Sequence, residues 1–461
     1  TYFYNERQKV SVNLSKVMEL NEKYGIGANG EVVNVSFGLY AAEELVSASG
    51  TTIPADGLIE ILMVDENGKA VVSSDLPLGK YYVKEIATDS HYLLNDAKYP
   101  FEFAYAGQTV ELVEITANDG KDIGNDLIYG SVSGKKVDEN GEALGGALIG
   151  IFKADETEFT KDNAIETTVS ADDGSFSFEN VPYGVWVVKE IEAPTGYVLD
   201  GTPYQVTVNE DEQVIEITVT DEFVRGNISL TKVDKDFPDN KLSGAVFEVY
   251  KDLNGDGKLD DGDELLGELE EADKGIYEMK ELLYGKYLVK ETKAPEGFVL
   301  DEGVYSVFIE ENGKTYQVEN EAGVGFINDA MRGSLKIVKT SSDGKVEGFS
   351  FRVTGENGYD KTFVTDAKGE ILIENLRIGE YTISEVSDKA SANYVLPANK
   401  DATVKVGSTT VVTMHNELRD TPKTGDNSHL GLWFTLAGLS ALGIAATTFV
   451  ALKKKKKEDA E

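Results

Sequence analysis

Along most of this chain hydrophobic and polar positions alternate in short runs, the period of a half-buried strand. Val12-Asn13-Leu14-Ser15-Lys16 is one such run. Val132-Ser133-Gly134-Lys135-Lys136, Ile228-Ser229-Leu230-Thr231-Lys232 and Leu335-Lys336-Ile337-Val338-Lys339 repeat it. A second pattern, Gly-x-aromatic-x-apolar-x-Glu, runs from Gly79 to Glu85, Gly184 to Glu190, Gly285 to Glu291 and Gly379 to Glu385. A third segment closes each repeat on Asn125, Asp221, Asn328 or Asn416. The pattern predicts an all-β chain of four tandem β-sandwich domains, each Greek-key-like with about seven short strands. One stretch breaks the period. Leu430 to Leu452 is continuously apolar or small and would rise about 34 Å as a helix, enough to span a membrane, so helix is expected only there.

Strand register makes the recurring polar residues unusual. Lys16 shares a face with Val12 and Leu14, and Lys339 with Leu335 and Ile337. Glu190 falls in step with Trp186 and Val188, and Glu385 with Tyr381 and Ile383. Asn328 follows Val324 and Phe326, and Asn416 follows Val412 and Met414. Each repeat is thus expected to aim a Lys, a Glu and an Asn or Asp into its own core. The alternative is lysines snorkelling outward and glutamates at strand ends, in all four repeats at once.

The closing residue stands eleven positions before the next lysine at every junction: Asn125 to Lys136, Asp221 to Lys232, Asn328 to Lys339. Asn5 precedes Lys16 by the same interval, so residues 1–9 read as the remnant of an upstream domain. The chain begins at Thr1 and shows no signal peptide, which also points to sequence upstream. The expected domains are 10–128 (divergent), 129–224, 225–331 and 332–419. A motif at 420–426, the span 430–452 and a basic tail 453–461 follow.

Composition narrows the function. The net charge of -38 excludes a nucleic-acid partner, which needs clustered Lys and Arg. Cysteine is absent, which removes disulfides and thiolate chemistry. The three histidines, His91, His415 and His429, have no metal or triad spacing. Nothing resembles the active site of an enzyme with turnover.

Before the apolar span stand Thr421-Pro422-Lys423-Thr424-Gly425, and after it Lys453 to Lys457. This order resembles the Leu-Pro-x-Thr-Gly sorting signal read by sortases, with Thr421 in place of Leu. The resemblance implies cleavage between Thr424 and Gly425 and transfer of the Thr424 carbonyl to an amine of peptidoglycan or of a pilin lysine. The membrane is then a partner only before sorting. The location that the resemblance implies is the cell wall of a Gram-positive bacterium.

The repeats resemble the collagen-adhesin B-type, SpaA-like or prealbumin-like pilin domain. Tyr287-Leu-Val-Lys-Glu291-Thr-Lys-Ala-Pro295-Glu-Gly297-Phe298 is similar to the pilin E-box, and Glu190-Ile-Glu-Ala-Pro194-Thr-Gly196-Tyr197 nearly as close. Domains 1 and 4 keep the Glu without that tail. The resemblance implies a self-formed isopeptide bond in each triad: Lys16/Glu85/Asn125, Lys136/Glu190/Asp221, Lys232/Glu291/Asn328 and Lys339/Glu385/Asn416. Burial would favour neutral lysine as nucleophile and protonated Glu as proton shuttle.

No cofactor is required by this reading. One loop suggests a ligand: Asp252, Asn254, Asp256, Lys258, Asp260 and Asp263 occupy positions 1, 3, 5, 7, 9 and 12 of a calcium-loop pattern, with Gly257 at position 6. The expected function is a sortase-anchored, pilin-like structural stalk. The alternative is an adhesin in which one domain, domain 1 first, binds a host or matrix ligand.

Overall fold

The computed structural model describes residues 7–47 and 49–419. Asn5, the motif at 421–425 and the apolar span 430–452 lie outside them. Among the described residues no helix is long and apolar enough to cross a membrane. The chain divides into two compact units, Thr1–Glu296 with Leu300–Asn328, and Gly297–Val299 with Asp329–Glu461. The first holds domains 1 to 3 and the second domain 4.

Domain 2 shows the plan most plainly. Its lysine strand, Tyr129–Asp138, runs between Ser175–Pro182, antiparallel, and the closing strand Gln213–Phe223, parallel. The glutamate strand, Gly184–Glu192, lies in a second sheet between Leu148–Lys153 and Tyr204–Val208. Each strand turns alternate apolar side chains inward, and Val132, Ile149, Phe178, Val188 and Val219 fill the space between. Gly134 keeps one inward position empty, because a Cβ there would stand 1.9 Å from Cζ of Phe176.

The other domains repeat this arrangement. Their lysine strands are Lys9–Met18, Arg225–Asp234 and Arg332–Ser341. Their glutamate strands are Gly79–Ala87, Gly285–Lys293 and Gly379–Glu385. Their closing strands are Ile123–Asn125, Phe326–Asn328 and Thr409–Leu418, each parallel to the lysine strand of its domain.

Three details differ from the expectation. Each domain carries eight to ten strand segments rather than about seven, because two-residue pairs such as Tyr197–Val198 add to the main sheets. One 3₁₀ turn, Glu31–Asn34, places helical residues in domain 1, while Ala117–Gly120 is a left-handed turn with φ of 57° at Asn118 and 53° at Asp119. Val324 does not share the inward face of Phe326 and Asn328. The strand starts only at Phe326, after turns at Gly323 and Gly325 with φ of 74° and 125°, and Val324 is exposed.

The junctions explain the constant interval of eleven. Ile128, three residues past Asn125, donates its N–H to the His91 carbonyl at 2.9 Å, and its own carbonyl accepts from Tyr183 of domain 2 at 2.9 Å. Val224, three past Asp221, repeats this between Gly196 and Tyr284 of domain 3, again at 2.9 and 2.9 Å. Within the second unit Met331 bonds Gly297 at 2.8 Å and Ile378 at 3.0 Å. A linker gripped on both edges has no room for an inserted residue.

Candidate functional site

Paired parallel strands set the site. In each domain the lysine stands opposite the residue two before the closing Asn or Asp: Lys16 opposite Ile123, Lys136 opposite Val219, Lys232 opposite Phe326, Lys339 opposite Met414. The lysine and the closing residue are therefore diagonal neighbours on one inward face. The glutamate reaches them from the facing sheet. All twelve triad residues are buried, and Lys136, Lys232, Glu291 and Asn416 are 0% exposed.

The contacts follow this geometry. Lys16 Nζ lies 3.3 Å from Glu85 Oε2, and Asn125 Nδ2 donates to Glu85 Oε1 at 2.6 Å and to Thr88 Oγ1 at 2.7 Å. Lys232 Nζ is 3.5 Å from Glu291 Oε1, and Asn328 Nδ2 donates to both carboxyl oxygens at 2.9 Å. In domain 2, Lys136 Nζ pairs with Asp221 Oδ1 and lies 3.4 Å from Glu190 Oε1. In domain 4, Asn416 Nδ2 donates to Glu385 Oε1 at 2.6 Å. Lys339 Nζ donates instead to the Thr340 carbonyl at 2.8 Å.

Desolvation moves five of the triad groups toward their neutral forms. Burial lowers the lysine pKa in domains 1, 3 and 4, to about 8 for Lys232, against the opposing pull of the neighbouring Glu. Burial also pushes Glu385 up, and Glu190 to about 8, there with help from the hydrogen bond to Asp221. A neutral lysine beside a carboxamide and a protonated carboxyl is a nucleophile, an electrophile and a proton carrier in one dry site.

Sequence reasoning missed one set of partners. Main-chain N–H groups meet the glutamate in three domains: Asn95 on Glu85 Oε1 at 3.2 Å, Asp200 on Glu190 Oε2 at 2.9 Å, Asp301 on Glu291 Oε2 at 2.8 Å. A shared phrase marks them, aromatic-x-Leu-Asn/Asp, in Tyr92–Asn95, Tyr197–Asp200 and Phe298–Asp301.

The calcium-pattern loop in domain 3 is built on its own side chains. Asp252 accepts from the N–H groups of Gly255 and Gly257 at 2.6 and 2.9 Å, Asn254 from Asp256 at 2.8 Å, and Asp256 from Lys258 at 2.8 Å. Asp263 accepts from Asp260 N–H at 2.9 Å, and Asp260 from Asn254 Nδ2 at 2.9 Å. Among the described residues no three His, Asp or Glu side chains are grouped to hold a metal ion. Each of these oxygens nonetheless keeps a second lone pair.

A model of the SpaA prealbumin-like fold domain matches residues 21–119, 130–223, 226–322 and 333–418. The chain belongs to this SpaA-like family. A model of the LPXTG cell wall anchor motif matches residues 422–459, which makes the chain a cell-wall-anchored surface protein of a Gram-positive bacterium. No curated protein matches the chain. Among solved structures, the TIE protein of Bacillus anthracis is 23% identical, with a TM-score of 0.50 over 84% of this chain and 69% of that one. BcpA, the major pilin subunit of Bacillus cereus, is 16% identical with a TM-score of 0.31, over 62% of this chain and 99% of that one. The pilus adhesin SpaC of Lactobacillus rhamnosus GG is 13% identical with a TM-score of 0.31, over 84% and 57% of the two chains. The likeness to the TIE protein is one of fold.

Proposed function

We propose that this SpaA-like chain is a pilin-like stalk whose domains lock themselves with internal isopeptide bonds. One observation carries the reading: in every domain a buried lysine and an Asn or Asp are diagonal neighbours on paired parallel strands, and a buried Glu from the facing sheet bonds the closing residue. Neutral Lys Nζ attacks Cγ of the asparagine, and the new Nζ–Cγ bond replaces Cγ–Nδ2. The glutamic acid passes the Nζ proton to the leaving nitrogen, and ammonia departs. At Asp221 the same exchange releases water. Each triad reacts once on its own chain, which is self-modification without turnover.

The bond ties the first strand of a sandwich to its last, so tension passes across the domain without extending it. Between bonds run eleven residues, about 36 Å if extended. Sorting would join the stalk through Thr424 to peptidoglycan or a pilin lysine. The test is the intact mass of the full chain after prolonged incubation. A deficit of three ammonias and one water is expected; a mass equal to the plain sequence overturns the reading.

A further inference from the structure

The four triads are not equally equipped. In domains 1 to 3 an amide N–H grips the glutamate, and side chains hold that amide in place. Tyr204 Oη donates to Asp200 Oδ2 at 2.6 Å, Tyr305 Oη to Asp301 Oδ2 at 2.9 Å, and Asn95 Nδ2 to Tyr99 Oη at 2.9 Å. Each tyrosine faces the residue two before the glutamate: Tyr99 opposite Val83, Tyr204 opposite Val188, Tyr305 opposite Val289. In domain 2 the Asp200 N–H also reaches Asp221 Oδ1 at 3.2 Å, so one donor aligns both carboxyls.

Domain 4 lacks the device, and its register shows why. Tyr394–Val395 pairs with Leu418 and Glu417 just as Tyr197–Val198 pairs with Phe223 and Glu222. Two residues past Val198 stands Asp200; two past Val395 stands Pro397, which has no N–H to give. Lys400 replaces the tyrosine opposite Ile383, and its Nζ bonds the Thr413 carbonyl at 2.7 Å. Glu385 Oε2 is left buried without a hydrogen-bond partner, as are Glu85 Oε2 and Glu190 Oε1, but those two lie 3.3 and 3.4 Å from their lysines, whereas Lys339 Nζ turns to its own strand.

We infer that the amide N–H of Asn95, Asp200 and Asp301 is a positioning group for crosslinking, and that Pro397 makes domain 4 the slow domain. This rests on the crosslinking reading above. The N–H fixes the carboxyl plane so that the carboxyl meets amine and carboxamide together. Without it the carboxyl can turn, and fewer encounters have all three groups aligned.

The experiment follows each bond separately in the full chain. Chains made by cell-free translation are quenched in acid denaturant at intervals, digested, and the crosslinked peptide of each domain is quantified by mass. Domain 4 is expected to lag domains 1 and 3 roughly tenfold, the scale set by one hydrogen bond to a carboxylate. Pro397→Ala, which restores only the N–H, should recover most of that lag, and Asp301→Pro should slow domain 3 while Asp301→Ala keeps its N–H. Melting of Lys339→Met chains, with and without Pro397→Ala, separates alignment from mere folding: equal melting with unequal crosslinking supports the inference. Domain 4 crosslinking as fast as domain 3, or a rate unmoved by Pro397→Ala, overturns the inference while leaving the isopeptide reading intact. No crosslink in any domain overturns both.

Discussion

Tyr24 stands edge-on to Trp186, ring centroids 4.8 Å apart and planes at 73°, although the two residues belong to successive domains. With Ile26, Tyr92 and Leu127 it extends the core of domain 2 into domain 1, so that joint is packed like an interior. Tyr24→Ala is expected to cost about 3 kcal/mol and to lower the melting temperature of the first unit. Tyr24→Phe should be neutral or slightly stabilising, because the buried Tyr24 hydroxyl has no hydrogen-bond partner. Differential scanning calorimetry of both variants checks this. A clear loss with Phe would mean that the hydroxyl is paired in solution.

Removing the proton carrier should cancel one bond without touching the others. Glu291→Ala is expected to leave a mass deficit one ammonia smaller, and to free Lys232 and Asn328 as ordinary peptides on digestion. Losing a crosslink across a loop of this size costs about 4.7 kcal/mol on the chain-entropy account for disulfides. Domain 3 should therefore melt well below its neighbours, and a full deficit in this variant would show that Glu291 is dispensable.

Much of the site was legible because alternation is strict. Lys16 and Lys339 fall in step with residues that prove buried, and the repeat of that register told core from surface. Pro397 was not legible in the same way, since a missing N–H leaves no mark until the glutamate facing it is known. Tyr24 lay in a stretch without period, and its partner is far along the chain in another domain. Val324 misled because two positive-φ glycines break the strand that its spacing implied.

The titration of Lys232 predicts a pH dependence in a chain that cannot bond domain 3. In Asn328→Ala, Lys232 stays an amine, and burial holds its pKa near 8 against 10.5 for the free side chain. Between those values the unfolded state binds more protons, so stability rises with pH. The contribution is full above about 10.5 and is lost as pH falls through about 8. Measured against the bonded parent, the variant should lose less melting temperature at pH 10 than at pH 7.5. The opposite trend would place a charged lysine in the folded core.

The loop from Asp252 to Asp263 carries calcium as a proposal resting on spacing and on the unused lone pairs of its oxygens. Calorimetric titration of the chain with CaCl₂ should give a binding heat that Asp256→Ala removes, with no effect on the mass deficit. Absence of heat at millimolar calcium would retire it, leaving a loop held by its own main-chain hydrogen bonds.

Force separates a locked stalk from a string of ordinary sandwiches. The sequence between Lys232 and Asn328 advances 96 positions, about 340 Å when fully extended. On the proposed isopeptide reading the bond of the parent chain bypasses that length, because the lysine and closing strands are adjacent and tension crosses from one to the other. Single-molecule pulling should therefore show no such release from domains 1 to 3. Glu291→Ala should add one step of about 340 Å and no other. If domain 4 has not yet bonded, the 77 positions from Lys339 to Asn416 yield a shorter step of about 270 Å, which Pro397→Ala should make rarer. Release of the domain 3 length in the parent chain would mean that its triad, however well assembled, does not close.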